Sequence, residues 1–222
     1  MAVRIGRNMI QKLDFAEPFF SVDYIENEEE YYIEKNSMAV NLAERSGSLM
    51  YIRGVPVLPL KAAIAEGVWL EHVERAFVVK DYERCDLEDI STTEAIKAAW
   101  KSIYECSGIE RHRGLPYYKS PKFCTGEGRN HIEINFCYVA QPDIPSGPHR
   151  DHDRDFDEVH AQIRGFGKMQ KFNENDVNTY FGEYIMAPGI VHDKFYDGEG
   201  KYPWHQYRSI TPCVYCPIEI DR

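Results

Sequence analysis

Between Gly147 and His192 the chain gathers side chains able to bind a metal ion and to move protons. One stretch reads Gly147-Pro-His149-Arg-Asp-His152-Asp-Arg-Asp-Phe-Asp-Glu158-Val-His160, and a second reads Gly182-Glu-Tyr-Ile-Met-Ala-Pro188-Gly189-Ile-Val-His192. Two imidazoles and one carboxylate around a divalent transition metal leave coordination positions open, the facial arrangement that suits Fe(II) and oxygen. His152, Glu158 and His192 are the expected ligands. His149 joins them only if a bulge or bend turns it inward, because residues three apart on a regular strand face opposite sides. Glu158 and His160 are two apart and share a face, so an inward Glu158 brings His160 with it. There His160 is expected to act in acid/base catalysis rather than as a ligand. Farther along, Trp204-His205-Gln-Tyr-Arg208 offers a substrate-binding pair, with Arg208 able to hold a carboxylate through its fork of donors. Cys213-Val-Tyr-Cys216 has the spacing of half a zinc site but no second pair of suitable spacing, and it reads as core.

The elements that must position these groups are short strands. His131 to Tyr138 alternates, with Ile132, Ile134, Phe136 and Tyr138 on one face. Further strands are expected at Glu158–Ile163, Lys168–Phe172, Thr179–Phe181, Tyr184–Met186 and Tyr207–Tyr215. Such spacing indicates a sandwich or small barrel. Upstream, Ser91 and Glu94 have capping-box spacing, and Ile96, Trp100, Ile103 and Tyr104 share a helical face that Gly108 can close. Leu60 to Ala65 reads as weakly helical, Val68 to Val79 as ambiguous, and Met50 to Leu60 as an edge strand broken by Pro56 and Pro59. The acidic run Glu26 to Glu30 reads as a solvated turn. The fold class is therefore mainly β, with an α+β N-terminal extension over residues 1–125 and a C-terminal barrel over residues 126–222.

The glutamate and the histidines resemble the cupin superfamily. Glu158 and Gly165 match the spacing of its first motif, and Gly182, Pro188 and His192 resemble its second; the usual His-x-His pair is absent, and Pro188 and Gly189 are adjacent. Among cupins, His152, Glu158, Ile163-Arg164-Gly165 and a later histidine look like the iron site of homogentisate 1,2-dioxygenases. The resemblance covers roughly residues 132–215. It implies a double-stranded β-helix, or jelly-roll, barrel holding one metal on two histidines and a glutamate, with Fe(II) expected and Mn, Ni or Zn as alternatives. The activity implied is that of a dioxygenase acting on a small aromatic or carboxylated substrate together with O2. A second oxygenase reading takes His149-Arg-Asp151 and His192 as the ligands of a 2-oxoglutarate-dependent enzyme, with Arg208 on the cosubstrate. A redox-neutral isomerase, epimerase or lyase using the metal as a Lewis acid is a third, and a ligand-binding cupin without chemistry a fourth.

Composition narrows the setting. The 222 residues carry 26 Lys+Arg against 36 Asp+Glu, a formal charge of −10, which argues against a general grip on nucleic acid or an anionic membrane. No apolar run is long enough to span a bilayer, and the six scattered cysteines fit reduced thiols in a cytoplasmic protein. Aromatic residues make up 13% of the chain and suit pleated surfaces. A homodimer is the expected assembly.

Overall fold

The structure, a computed structural model, describes residues 8–43, 47–126, 131–150 and 155–221. Strands dominate, and every pairing among them is antiparallel, in keeping with the mainly β, jelly-roll expectation. The chain divides into two compact units, Met1–Asp86 with Gly189–Val191, and Leu87–Pro188 with His192–Arg222.

The first unit is one seven-stranded sheet built from β1 (Met9–Leu13), β2 (Ser21–Ile33), β3 (Ser37–Asn41), β4 (Met50–Ile52), β5 (Val55–Val57), β6 (Ala62–Ala65) and β7 (Val68–Lys80). The ambiguous stretch is thus strand β7, and the weakly helical one contains β6. The Glu26–Glu30 run lies inside β2 rather than in a turn. Its pairing with β7 leaves Glu29 and Glu30 exposed while Ile25 and Ile33 are buried, with Asn27, at φ 55°, the one left-handed residue inside the run. Those two residues pack with Leu70, Val73 and Val78 in the core of this unit.

The second unit begins with α1 (Ile90–Ala99), β8 (Lys101–Ser102) and α2 (Ile103–Ser107). The single helix expected from Ser91 to Gly108 is two. Asp89, not Ser91, caps α1 by accepting from the amides of Ser91 and Thr92, and Trp100 turns extended. Ser102 and Glu105 then form the capping box that starts α2, and Gly108, at φ 64°, closes it. Seven strands form the larger sheet: β8, β9 (Tyr117–Lys119), β10 (Phe123–Thr125), β11 (Ile132–Ile134), β12 (Cys137–Val139), β13 (Phe156–Arg164) and β17 (Cys213–Asp221). A smaller sheet holds β14 (Gly167–Phe172) between β15 (Tyr180–Met186) and β16 (Trp204–Ser209). The alternating run from His131 to Tyr138 is split into β11 and β12, which meet successive parts of β17. Because β8, β9 and β10 pair within the same sheet as β11 and β12, the division falls at Asp86 rather than at residue 125.

Two glycines let the second unit close. Gly165 sits at φ 64° in the turn after β13, where a Cβ would lie 2.2 Å from the Pro212 carbonyl oxygen. At Gly167 a Cβ would lie 2.0 Å from the Tyr207 hydroxyl oxygen, which itself donates to Gln162 Oε1 at 2.7 Å.

Candidate metal centre and cavity

Period-2 alternation along β13 sends Glu158, His160 and Gln162 to one face. Opposite them, the chain from Pro145 to His149 runs beside β16, with isolated bridges pairing Pro145 with Arg208 and His149 with His205. His149 and His205 exchange both amide-to-carbonyl bonds at 2.9 Å, and their rings lie 4.4 Å apart between centroids. His205 Nε2 is 3.5 Å from Glu158 Oε2. His149, Glu158 and His205 each offer a ligand atom within 4.8 Å of the other two.

The protons on these rings follow from their neighbours. His149 Nδ1 lies 3.2 Å from the Gly147 carbonyl oxygen, and His205 Nδ1 lies 3.2 Å from that of Pro203. A carbonyl only accepts, so each Nδ1 carries a hydrogen, and Nε2 is the atom by which each ring would bind a metal after giving up any proton held there. Burial alone would raise the Glu158 carboxyl, but His160 and His205 on either side outweigh it and hold the group well below the usual carboxylate range. Two imidazole Nε2 atoms and an ionised carboxylate are a donor set that fits a divalent transition metal.

His192 is bonded differently. Its Nδ1 donates to the Asp193 carbonyl at 2.8 Å, leaving Nε2 as an acceptor. That nitrogen takes both the His160 amide, at 3.0 Å, and His160 Nδ1, at 2.8 Å. Burial, then His160, keeps the His192 ring neutral by lowering its pKa. Its lone pair is directed at His160, whose Nε2 stands 3.5 Å from Glu158 Oε1.

The structure therefore brings His149, Glu158 and His205 together, with His160 beside them and His192 behind His160. His152 and Asp151 lie outside the described residues. His205, expected on the substrate, sits instead among the candidate ligands. Arg208 alternates to the other side of β16 from His205 and donates to Asp143 at 2.7 Å, so it is engaged in an ion pair near the surface. Cys213 and Cys216 are buried free thiols. Nothing local in the sequence links His149 to His205; only the bridge between a loop and β16 does.

A cavity of about 390 Å³ opens on the group, with His149, Glu158, His160 and Tyr215 in its wall. Arg111 and Lys119 line it as well, and neither was expected from the sequence. A second cluster, Cys124, His131 and Glu133, lies on the β10–β11 hairpin outside this wall.

No protein-family model matches the chain, and no curated protein matches it. Solved structures do resemble it. A cupin-2 domain protein from Rhodospirillum rubrum is 14% identical, with 48% of this chain and 61% of that one covered and a TM-score of 0.34. An oxalate oxidase is 12% identical, with 40% and 41% covered and a TM-score of 0.30. A variant of salicylate 1,2-dioxygenase from Pseudoaminobacter salicylatoxidans, in complex with gentisate, is 10% identical, with 91% and 69% covered and a TM-score of 0.38. These neighbours include cupins. The chain spans less than two thirds of the first two. Among the described residues no helix is long and apolar enough to cross a membrane.

Proposed function

We propose that the chain is a metal-dependent enzyme, a non-haem oxygenase that takes a small carboxylated or aromatic substrate and O2, with His149, Glu158 and His205 as the metal ligands. One observation carries this reading: both histidines turn Nδ1 to a backbone carbonyl, so both Nε2 atoms are left beside a buried, ionised glutamate on a cavity wall. Fe(II) is the favoured ion, with Mn, Ni or Zn as alternatives, and it would supply open coordination positions and redox chemistry. The chain's residues do the rest. The strand pairing of His149 with His205 fixes both rings before any ligand arrives, which avoids an ordering cost on binding. Glu158 contributes the single negative charge and is kept ionised by its neighbours. His160 lines the cavity with its Nδ1 hydrogen bonded to His192, so its Nε2 is the atom that exchanges a proton with substrate.

The test is elemental analysis of protein purified without chelator, followed by reconstitution and oxygen-uptake assays against phenolic and carboxylate compounds. One divalent ion per chain is expected, lost in His149→Ala, Glu158→Ala and His205→Ala, with oxygen uptake that depends on it. His152→Ala belongs in the same series. If His152→Ala and His192→Ala lose the ion while His205→Ala keeps it, the ligand set is wrong; if the wild-type protein takes up no ion, the whole reading falls.

A further inference from the structure

The cavity wall carries three cations, Arg111, Lys119 and Lys122, and two carboxylates, Glu158 and Glu219. Both carboxylates are already engaged. Glu158 faces His160 and His205, and Glu219 accepts from Lys122 at 3.0 Å, which also pairs with Glu133 at 2.6 Å. That leaves two cations. Among the described residues Lys119 makes no side-chain hydrogen bond or ion pair, and Arg111 shows only a long contact, 3.4 Å, from its Nε to His112 Nε2. Lys119 is held in place by register: it stands opposite Cys137, which stands opposite Tyr215, which stands opposite Gln162, in a row across β9, β12, β17 and β13. Cys137 once its thiol ionises, and Glu158 and Glu219 throughout, raise its ammonium above the ordinary lysine value against burial. Burial, then Arg111 and Lys119, depress His112, which places a positive field in this part of the wall.

We infer that Lys119 is the substrate anchor of this cavity, holding a carboxylate of a small organic anion, with Arg111 as a second cation toward the same group. A half-buried ammonium that makes no hydrogen bond or ion pair among the described residues can take a ligand carboxylate as its partner through a charge-assisted bond. The assignment rests on the cavity being the substrate site of the proposed enzyme, and it is tested by binding alone.

Cys106, an exposed thiol of α2, lines the same cavity, whereas Cys124, the other exposed thiol, does not. Metal-free and metal-loaded proteins are titrated with benzoate, oxalate and succinate, and with benzamide as a neutral mimic, while alkylation of the two thiols by iodoacetamide is followed by mass spectrometry. At least one carboxylate is expected to slow alkylation of Cys106 but not of Cys124, and to bind roughly tenfold to a hundredfold more weakly in Lys119→Met. Lys119→Arg is expected to keep part of the affinity, and thermal melting checks that each variant folds. The assignment is overturned if no carboxylate protects Cys106, if benzamide protects as well as benzoate, or if folded Lys119→Met binds as the wild type does. Metal uptake with no Lys119-dependent binding would remove the anchor and leave the metal reading standing; the reverse result would do the opposite.

Discussion

His149 and His205 face each other across a two-residue antiparallel bridge, each amide donating to the other's carbonyl at 2.9 Å. The hydrogen-bonded pair sets both imidazoles on one side of the backbone, beside Glu158, and Phe195 and Tyr202 pack edge-on against the His205 ring. Substitutions around this pair separate residues that bind from residues that only support.

His192→Ala removes the acceptor of two His160 N–H groups but none of the three candidate ligands. Metal stoichiometry should survive, with affinity lowered by about 10- to 100-fold at most, the range seen when outer partners of a site are lost. Oxygen uptake should fall further than metal affinity, since His160 loses its orientation. Competition with a chromophoric chelator gives the first quantity, and complete metal loss in this variant would contradict the assignment.

Gly165→Ala forces a Cβ at positive φ into the Pro212 carbonyl and the Cys213 side chain, which would lie 2.2 and 2.9 Å away. A cost of about 2 to 3 kcal/mol is expected, read as a lower urea midpoint at unchanged slope. A loss under about 0.5 kcal/mol, the scatter of ordinary surface changes, would mean the turn can relax around the methyl group.

Tyr207→Phe deletes the hydroxyl that donates to Gln162 Oε1 inside the unit and leaves a buried amide oxygen without that donor. About 1 to 3 kcal/mol should be lost. The change also widens the space over Gly167, so Gly167→Ala should cost less in the Tyr207→Phe background than alone, a coupling that a double-mutant cycle measures.

Thiol chemistry should divide the six cysteines by burial. Cys106 and Cys124 are exposed and should react with a disulfide reagent in the native protein, while Cys85, Cys137, Cys213 and Cys216 should react only after unfolding. Burial pushes Cys137 up to about 11 and Cys213 up to about 12, whereas the unfolded thiols ionise near their ordinary value. Folded pKa values raised above unfolded ones mean stability held below the unfolded value and lost as pH climbs toward the folded ones. Unfolding free energy measured in reductant should therefore be level below about pH 9 and fall between there and pH 11 to 12. Cys213→Ala should make that fall shallower.

Part of the candidate site follows from residue order, and the rest depends on contacts that only the fold makes. Glu158 and His160 share a face because strands alternate, and that rule needs no tertiary knowledge. Gly165 stands out through the resemblance to the cupin motif, and its turn is one that a side chain cannot enter. His205 escapes because its place beside Glu158 depends on a bridge to a loop that no periodicity encodes, and Lys119 because its lack of a hydrogen bond or ion pair among the described residues is visible only once the neighbours are assembled. Trp100 escaped for another reason: its apolar side chain continues the helical stripe, yet its backbone is extended, and the capping box at Ser102 and Glu105 restarts the helix.

β17 hydrogen-bonds to β11 and β12 along one side and to β13 along the other. In a growing polypeptide the strand carrying Glu158 and His160 thus waits, its edge unsatisfied, until residues 213–221 arrive to join it to β12, with dozens of residues to be looped between them. Closure of that loop is an entropic toll on the folding rate. Metal loading is expected to be a late event, after the final strand has locked the larger sheet.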